Sequence, residues 1–220
     1  MIVVIAGASG LTGQACLQEL IASGKTQEII AISRHPLPVY HPNLRTFPRL
    51  DAQLLKEITR RVEPKVFICC LGTTRKKAGS QEAFREVDHW MVVDFAKQAK
   101  AAGAQCLSIV SAAGASPNSV FFYNRVKGEM ELAVQHLKLP KTLIYHPSLL
   151  LGDRAEARPF EKQLIRWVQA VSPWIPTGLA QKIGTPVQAL ARLMIRSSLQ
   201  EASSNQAPVF QVIPPEEIHE

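Results

Sequence analysis

Ile2–Ala6 is a wholly apolar, mostly β-branched run that passes directly into Gly7-Ala8-Ser9-Gly10-Leu11-Thr12-Gly13. An apolar stripe follows at Leu11, Ala15, Leu17, Leu20 and Ile21. A run apolar on both faces is the pattern of a strand buried inside a parallel sheet. The stripe predicts a helix over Leu11–Ser23, stopped by Gly24. Strand, glycine-rich turn and helix in this order open a βαβ unit, so the N-terminus restricts the chain to sheet-and-crossover folds.

The glycines of the turn are spaced GxxGxxG. The first permits the backbone angles of a tight turn, the second lets the main chain approach a pyrophosphate, and the third allows helix and strand to pack closely. An anion then rests on the amides of the helix N-terminus. Gly7, Ser9, Gly10, Leu11, Thr12 and Gly13 are therefore the expected phosphate-binding residues of a dinucleotide site. The plainer reading, a structural turn, is disfavoured by the strand before and the helix after.

Further strands are predicted at Glu28–Ser33, Thr46–Pro48 (weak), Lys65–Leu71, Cys106–Ser111, Leu143–Leu149 and Val209–Ile213. Helices are predicted at Ala52–Arg61, Gln81–Ala102, Asn124–Leu137, Glu161–Val171 and Pro186–Leu199. This alternation gives an α/β fold with a doubly wound parallel sheet. The length of 220 residues suits one domain, 1–220, and is too short for separate cofactor and substrate domains. Residues from about 147 to 220 read as a small C-terminal lobe on the substrate side of that domain, with no composition break before it.

Lys and Arg number 25 against 18 Asp and Glu, a net charge of +7. The basic residues are spread along the chain, no run interleaves them with aromatics, and aromatics are only 6%. That argues against a nucleic-acid partner and for an anionic cofactor or an acidic small substrate. Cys16, Cys69, Cys70 and Cys106 form no CxxC pair, and the adjacent Cys69 and Cys70 read as small buried hydrophobes. Free thiols fit a reducing interior, and the N-terminus carries no targeting pattern, so the expected compartment is the cytoplasm. No apolar stretch is long enough to span a membrane, and the six histidines show no metal-ligand spacing.

Arg34 ends the second strand, where an acid would hold the ribose 2′-hydroxyl of NAD. A guanidinium suits a 2′-phosphate instead, so NADPH is the expected cofactor, with NADH the alternative. Asp51 either accepts from the adenine amino group or caps the helix that starts at Ala52. Tyr123 and Lys127 stand four apart in YNRVKGEM and share one face of a helix. A phenol ordinarily titrates near ~10, and a neighbouring ammonium favours its phenolate. Tyr123 is thus a candidate general acid for carbonyl reduction and base for the reverse, with Lys127 also able to hold ribose hydroxyls. Ser111, at the end of the fifth strand, is the candidate hydroxyl for orienting a carbonyl, with Ser116 and Ser119 as competitors.

Together GASGLTG, CCLGTTRKKAGS, the Ser111 strand end, YNRVKGEME and HPSLLLGDRAEARP resemble the atypical branch of the short-chain dehydrogenase/reductase superfamily, and within it the Tat-interacting oxidoreductase-like group. The resemblance covers nearly the whole chain and implies a Rossmann fold with NADPH along the strand C-termini and a Ser111-Tyr123-Lys127 catalytic arrangement. It implies that Leu71, Gly72, Thr73 and Pro147 also lie against the cofactor. The chain departs from the pattern at Ala112, where relatives often carry a second serine, and at His146, where an arginine is common. The implied function is an NADPH-dependent oxidoreductase that transfers hydride to a small carbonyl substrate. A dinucleotide-binding regulator or redox sensor with little turnover is the alternative, and a nucleotide-sugar epimerase or dehydratase the third reading. Arg75, Lys76 and Lys77, and Arg154, Glu156 and Arg158, sit in loops that face substrate in such sheets, while Trp167 and Trp174 read as core or lid residues.

Overall fold

The computed structural model describes residues 1–151, 184–204 and 207–218. β1 (Ile2–Ala6) leads into α1 (Leu11–Ser23), then β2 (Glu28–Ile32), β3 (Leu44–Phe47), α2 (Ala52–Arg60) and β4 (Lys65–Cys69). A one-turn helix α3 (Arg75–Ala78) precedes α4 (Gln81–Arg85), a π-helical turn at Glu86–Trp90 and α5 (Met91–Ala101). β5 (Cys106–Val110), α6 (Phe122–Gln135) and β6 (Lys141–Tyr145) follow. Short strands β7 (Leu149–Leu151) and β8 (Gly184–Pro186) come next, and α7 (Val187–Ala202) and β9 (Val209–Ile213) end the series.

Seven strands pair in parallel in the order β3-β2-β1-β4-β5-β6-β9. The order reverses between β1 and β4, and a crevice opens outside the strand ends at such a switch point. Side chains alternate between the two faces. Val3, Ile5, Val66 and Ile68 pack under α1 and α7, while Ile2, Val4, Phe67, Leu107 and Ile109 pack under α2, α5 and α6. The sheet is therefore covered on both sides, as the apolar strands require.

Several expected elements differ in extent. The third strand begins two residues earlier than expected, at Leu44. The sixth ends at Tyr145 instead of Leu149, because Pro147 has no N–H to donate to a ladder. Leu149–Leu151 instead pairs with Gly184–Pro186 in a separate two-stranded sheet. The helix expected over Gln81–Ala102 is interrupted by the π turn. Much of what the structure describes of the expected C-terminal lobe belongs to the doubly wound body, since α7 packs on the α1 side of the sheet and β9 pairs with β6. Glu161–Val171, Trp167, Trp174, Arg154, Glu156 and Arg158 lie outside the described residues.

Gly128 on α6 fixes the loop between β5 and α6. A Cβ there would lie 2.1 Å from the Ser116 carbonyl carbon and 2.3 Å from the Pro117 nitrogen. The same loop is tied to α6 by the Ser116 N–H, donated to the Asn124 carbonyl at 3.0 Å, and by Asn124 Nδ2, donated to the Gly114 carbonyl at 2.7 Å. Gly128→Ala should therefore destabilise the fold by about 1–3 kcal/mol. At about 2–4 °C per kcal/mol for a chain of this size, the melting temperature should fall by about 2–12 °C. A calorimetric melt unchanged from the parent would show that this contact does not hold the loop.

Candidate active site

The glycine turn from Gly7 to Gly13 is built from backbone contacts too close for side chains. Gly7 has φ +78°, and a Cβ on it would lie 2.6 Å from the Cys70 carbonyl. A Cβ on Gly13 would lie 2.1 Å from the Gly7 oxygen. Both positions demand glycine, one by conformation and both by space. Gly10 differs: its φ is −80°, and a Cβ there would approach only the Gly7 oxygen, at 3.3 Å. Gly10 caps α1, no side chain caps that helix, and its first turn holds no acid. The first-turn amides of an α-helix lack intrahelical partners, so this end offers donors to an anion. Ser9 and Gly10 are exposed, Leu11 is half-buried, and Thr12 is buried.

The other sequence-assigned contacts fall on the same edge of the sheet or close to it. Arg34 is exposed just beyond β2, with no ion pair among the described residues. Asp51 is the N-cap of α2, its Oδ1 accepting the Leu54 N–H at 2.9 Å. Of the two roles read for it, capping is present, and one carboxylate oxygen is left over. Leu71, Gly72 and Thr73 follow β4 at the switch point, beside the phosphate loop, since the Cys70 N–H donates to the Ala6 carbonyl at 2.9 Å. Pro147 is buried, and its carbonyl accepts the Ala113 N–H at 3.0 Å. These features fit a dinucleotide: an uncapped helix end, a glycine open to solvent, and a guanidinium without an ion pair among the described residues.

Tyr123 and Lys127 share a face of α6, as their spacing requires. The Tyr123 ring packs 5.5 Å from Phe84 and is 37% exposed, so a small molecule can reach it. Lys127 is 3% exposed, and its ammonium lies 2.8 Å from Asp88 Oδ1. Asp88 Oδ2 accepts the Thr73 N–H at 2.8 Å. Burial pulls the Lys127 ammonium toward neutrality, but the Asp88 carboxylate and then Tyr123 more than offset it, leaving the group above the ordinary lysine range. An upward shift gives stability that is present below the unfolded value, near ~10.4, and lost as pH rises through the folded one. Burial pushes the neighbouring Cys69 thiol up to about 12, so it stays neutral at physiological pH.

Sequence reading missed Asp88. A signal was present: Asp88 sits on the apolar stripe of Phe84, Val92, Phe95 and Ala99, where an acid is seldom buried without a partner. It also missed the surroundings of Ser111. That hydroxyl is buried and donates to Glu131 Oε1, which also lies 2.9 Å from His146 Nε2. The structure thus joins Ser111 to His146 through Glu131. Arg75 and Arg125 lie 5.8 and 6.0 Å from the ring of Phe122, next to Tyr123, adding positive charge to this end of α6. Among the described residues no cluster of three potential ligands could hold a metal, and no helix is long and apolar enough to cross a membrane.

No family model matches the chain. Protein HTATIP2 of Rattus norvegicus is 32% identical over 204 residues, covering 91% of this chain and 82% of that protein. Protein FMP52, mitochondrial, of Candida glabrata is 31% identical over 221 residues, covering 99% and 94%. Among solved structures the fold is similar to that of the Bordetella bronchiseptica enzyme WbmG in complex with NAD, with a TM-score of 0.66 and 15% identity over 97% of this chain and 72% of that one. It is similar also to the human epimerase family protein SDR39U1 with NADPH, with a TM-score of 0.60 and 15% identity over 97% and 73%. At such identity the structures share the fold. The cytoplasmic expectation is corrected: several fungal relatives, among them FMP52 of Candida glabrata, are named as mitochondrial proteins. Free thiols fit any reducing compartment and do not distinguish the two.

The open position of Gly10 gives a direct test of the phosphate loop. Gly10→Val should project its side chain over the amides while displacing the Gly7 oxygen by only a few tenths of an ångström. Circular dichroism and the melting temperature should stay close to the parent, while affinity for NADPH falls by about 10-fold or more, equivalent to one charge-assisted contact. Unchanged affinity would show that the pyrophosphate binds elsewhere.

Proposed function

The chain belongs to the atypical short-chain dehydrogenase/reductase family that includes HTATIP2 and FMP52, and from that premise we propose that it is an NADPH-dependent oxidoreductase acting on a small carbonyl substrate. The observation that carries the reading is the exposed Tyr123 phenol one helical turn from a buried Lys127, beside the switch-point loop at Gly72 and Thr73. When bound, the nicotinamide supplies hydride from C4 to the carbonyl carbon. Tyr123 Oη donates the proton to the carbonyl oxygen in reduction and accepts it in oxidation. Lys127 holds the ribose hydroxyls, and its charge favours the phenolate that proton transfer leaves. Ser111 orients the carbonyl by turning its proton from Glu131 to the substrate oxygen.

Arg34 meets the 2′-phosphate, and the spare oxygen of Asp51 accepts from adenine. Gly7, Ser9 and Leu11 to Gly13 hold the pyrophosphate, and Leu71 to Thr73 with Pro147 line the nicotinamide half. Arg75 favours an acidic substrate. The names of the FMP52 relatives point to the mitochondrion as the working compartment.

One observation favours a second reading. The Ser111 hydroxyl is already donated to Glu131. If it stays there, the site holds a dinucleotide without that donor for a carbonyl oxygen, and the chain is a dinucleotide-binding regulator with little turnover.

Tyr123→Phe separates the two. It keeps the ring on Phe84 and removes only the hydroxyl. Reduction of an accepted aldehyde, ketone or quinone should fall by about 10²–10⁴-fold, the size of a lost general acid, while NADPH affinity stays within about twofold. Normal turnover by Tyr123→Phe would overturn the mechanism. If a broad carbonyl panel gives no turnover, but NADPH binding alters protease sensitivity, the regulatory reading takes its place.

A further inference from the structure

One carboxylate at this site touches two elements that the oxidoreductase reading uses and that lie far apart in the chain. Asp88 is 1% exposed. Its Oδ1 pairs with the Lys127 ammonium at 2.8 Å, and its Oδ2 receives the Thr73 N–H at 2.8 Å. A Cβ on Gly72 would lie 3.4 Å from Oδ1 and 3.9 Å from Lys127 Nζ. The ion pair therefore sits directly beneath the Gly72–Thr73 turn. Asp88 belongs to the π-helical turn at Glu86–Trp90, a local departure of the kind often found at functional sites. We propose that Asp88 is the positioning residue of this site: it fixes the Lys127 ammonium beneath the Gly72–Thr73 turn and so governs cofactor binding at that turn and its response to pH.

The role given to Lys127, holding the cofactor ribose, rests on the oxidoreductase reading; the ion pair itself does not. Three titratable groups face the ammonium from the elements around it: Asp88 from the π turn, Tyr123 from α6 itself and Cys69 from β4. The Cys69 thiol is neutral, held up by burial at about 12. Tyr123 is the proton donor of the mechanism above. Asp88 is thus the group of the three that stands at ion-pair distance from the lysine, at 2.8 Å. Without it, the largest influence opposing burial at Lys127 is gone, and burial favours the neutral amine. The neutral amine is a poorer donor to ribose hydroxyls and no longer favours a phenolate at Tyr123.

Asp88→Asn tests this with little change of shape, because the amide oxygen can still accept the Thr73 N–H. NADPH affinity of the full chain is titrated by fluorescence between about pH 6 and about pH 9.5, a window below the ordinary lysine value. The parent should bind with a flat profile. Asp88→Asn should bind about tenfold more weakly at the alkaline end than at the acid end, as Lys127 now loses its proton inside the window. Asp88→Glu, which keeps the charge, should restore the flat profile. A flat profile at parental affinity in Asp88→Asn overturns the proposal. So does a uniform loss at every pH that follows the melting temperature and is not relieved by Asp88→Glu, since that is the mark of a structural role alone.

A double-mutant cycle covers the case in which Asp88→Asn melts too readily to titrate. If Asp88 acts through Lys127, adding Asp88→Asn to Lys127→Met should change NADPH affinity by less than about twofold, and the double variant should melt no lower than Lys127→Met, because it leaves no buried unpaired charge. A further loss of about tenfold in the double variant overturns the proposal. These readouts need no turnover. A protein that reduces no carbonyl would fail the oxidoreductase reading while the Asp88 outcome stayed readable.

Discussion

The approach of Gly13 to the Gly7 carbonyl, closer than any side chain permits, is the contact on which this edge of the sheet depends. It presses the start of α1 against the end of β1 and aims the first-turn amides out over the strand ends. Gly7 in turn packs against the Cys70 backbone, so the same turn abuts the end of β4. The two loops at the switch point therefore share one floor. An anion on the α1 amides and a ligand group over Gly72 and Thr73 would lie on one continuous surface, which is what a molecule with a pyrophosphate at its centre needs.

Charge is arranged on that surface by burial. Most of the net charge of +7 is carried by exposed residues spread along the chain. Lys127 is buried, and it is held by a partner on another element. Ser111, Glu131 and His146 form a second polar group under the same helix. Removing one member of a buried pair leaves an uncompensated charge, at about 3–5 kcal/mol, so such groups persist only where the surrounding packing is exact enough to satisfy them. The loop from β5 to α6, pinned by Gly128, brings Tyr123 to the open end of α6 while Lys127 stays beneath the β4 turn.

Much of this was legible from residue order. Apolar runs such as Ile2–Ala6 and Lys65–Leu71 announced strands buried on two faces, and the glycine spacing located the tight turn between strand and helix. The weak third strand was placed late because Leu44–Phe47 is half-exposed and lacks that signature. The long helix was read as one because hydrophobic spacing does not reveal a change of hydrogen-bond register, so the π turn and the inward turn of Asp88 were hidden. The bond from Ser111 to Glu131 spans 20 residues and depends on how α6 lies against β5, which no local pattern encodes. Compartment was misread for a different reason: free thiols report redox state, not address.

The central claim is that one dinucleotide lies along the strand ends from Arg34 to Tyr123. A crystal structure of the chain grown with NADP⁺ tests it most directly. The account predicts the pyrophosphate on the amides of residues 10–13, the 2′-phosphate against the Arg34 guanidinium, the nicotinamide ribose within hydrogen-bond reach of Lys127, and C4 facing the open side of Tyr123. A nucleotide bound away from Gly7–Gly13, or one whose nicotinamide points away from Tyr123, would contradict it.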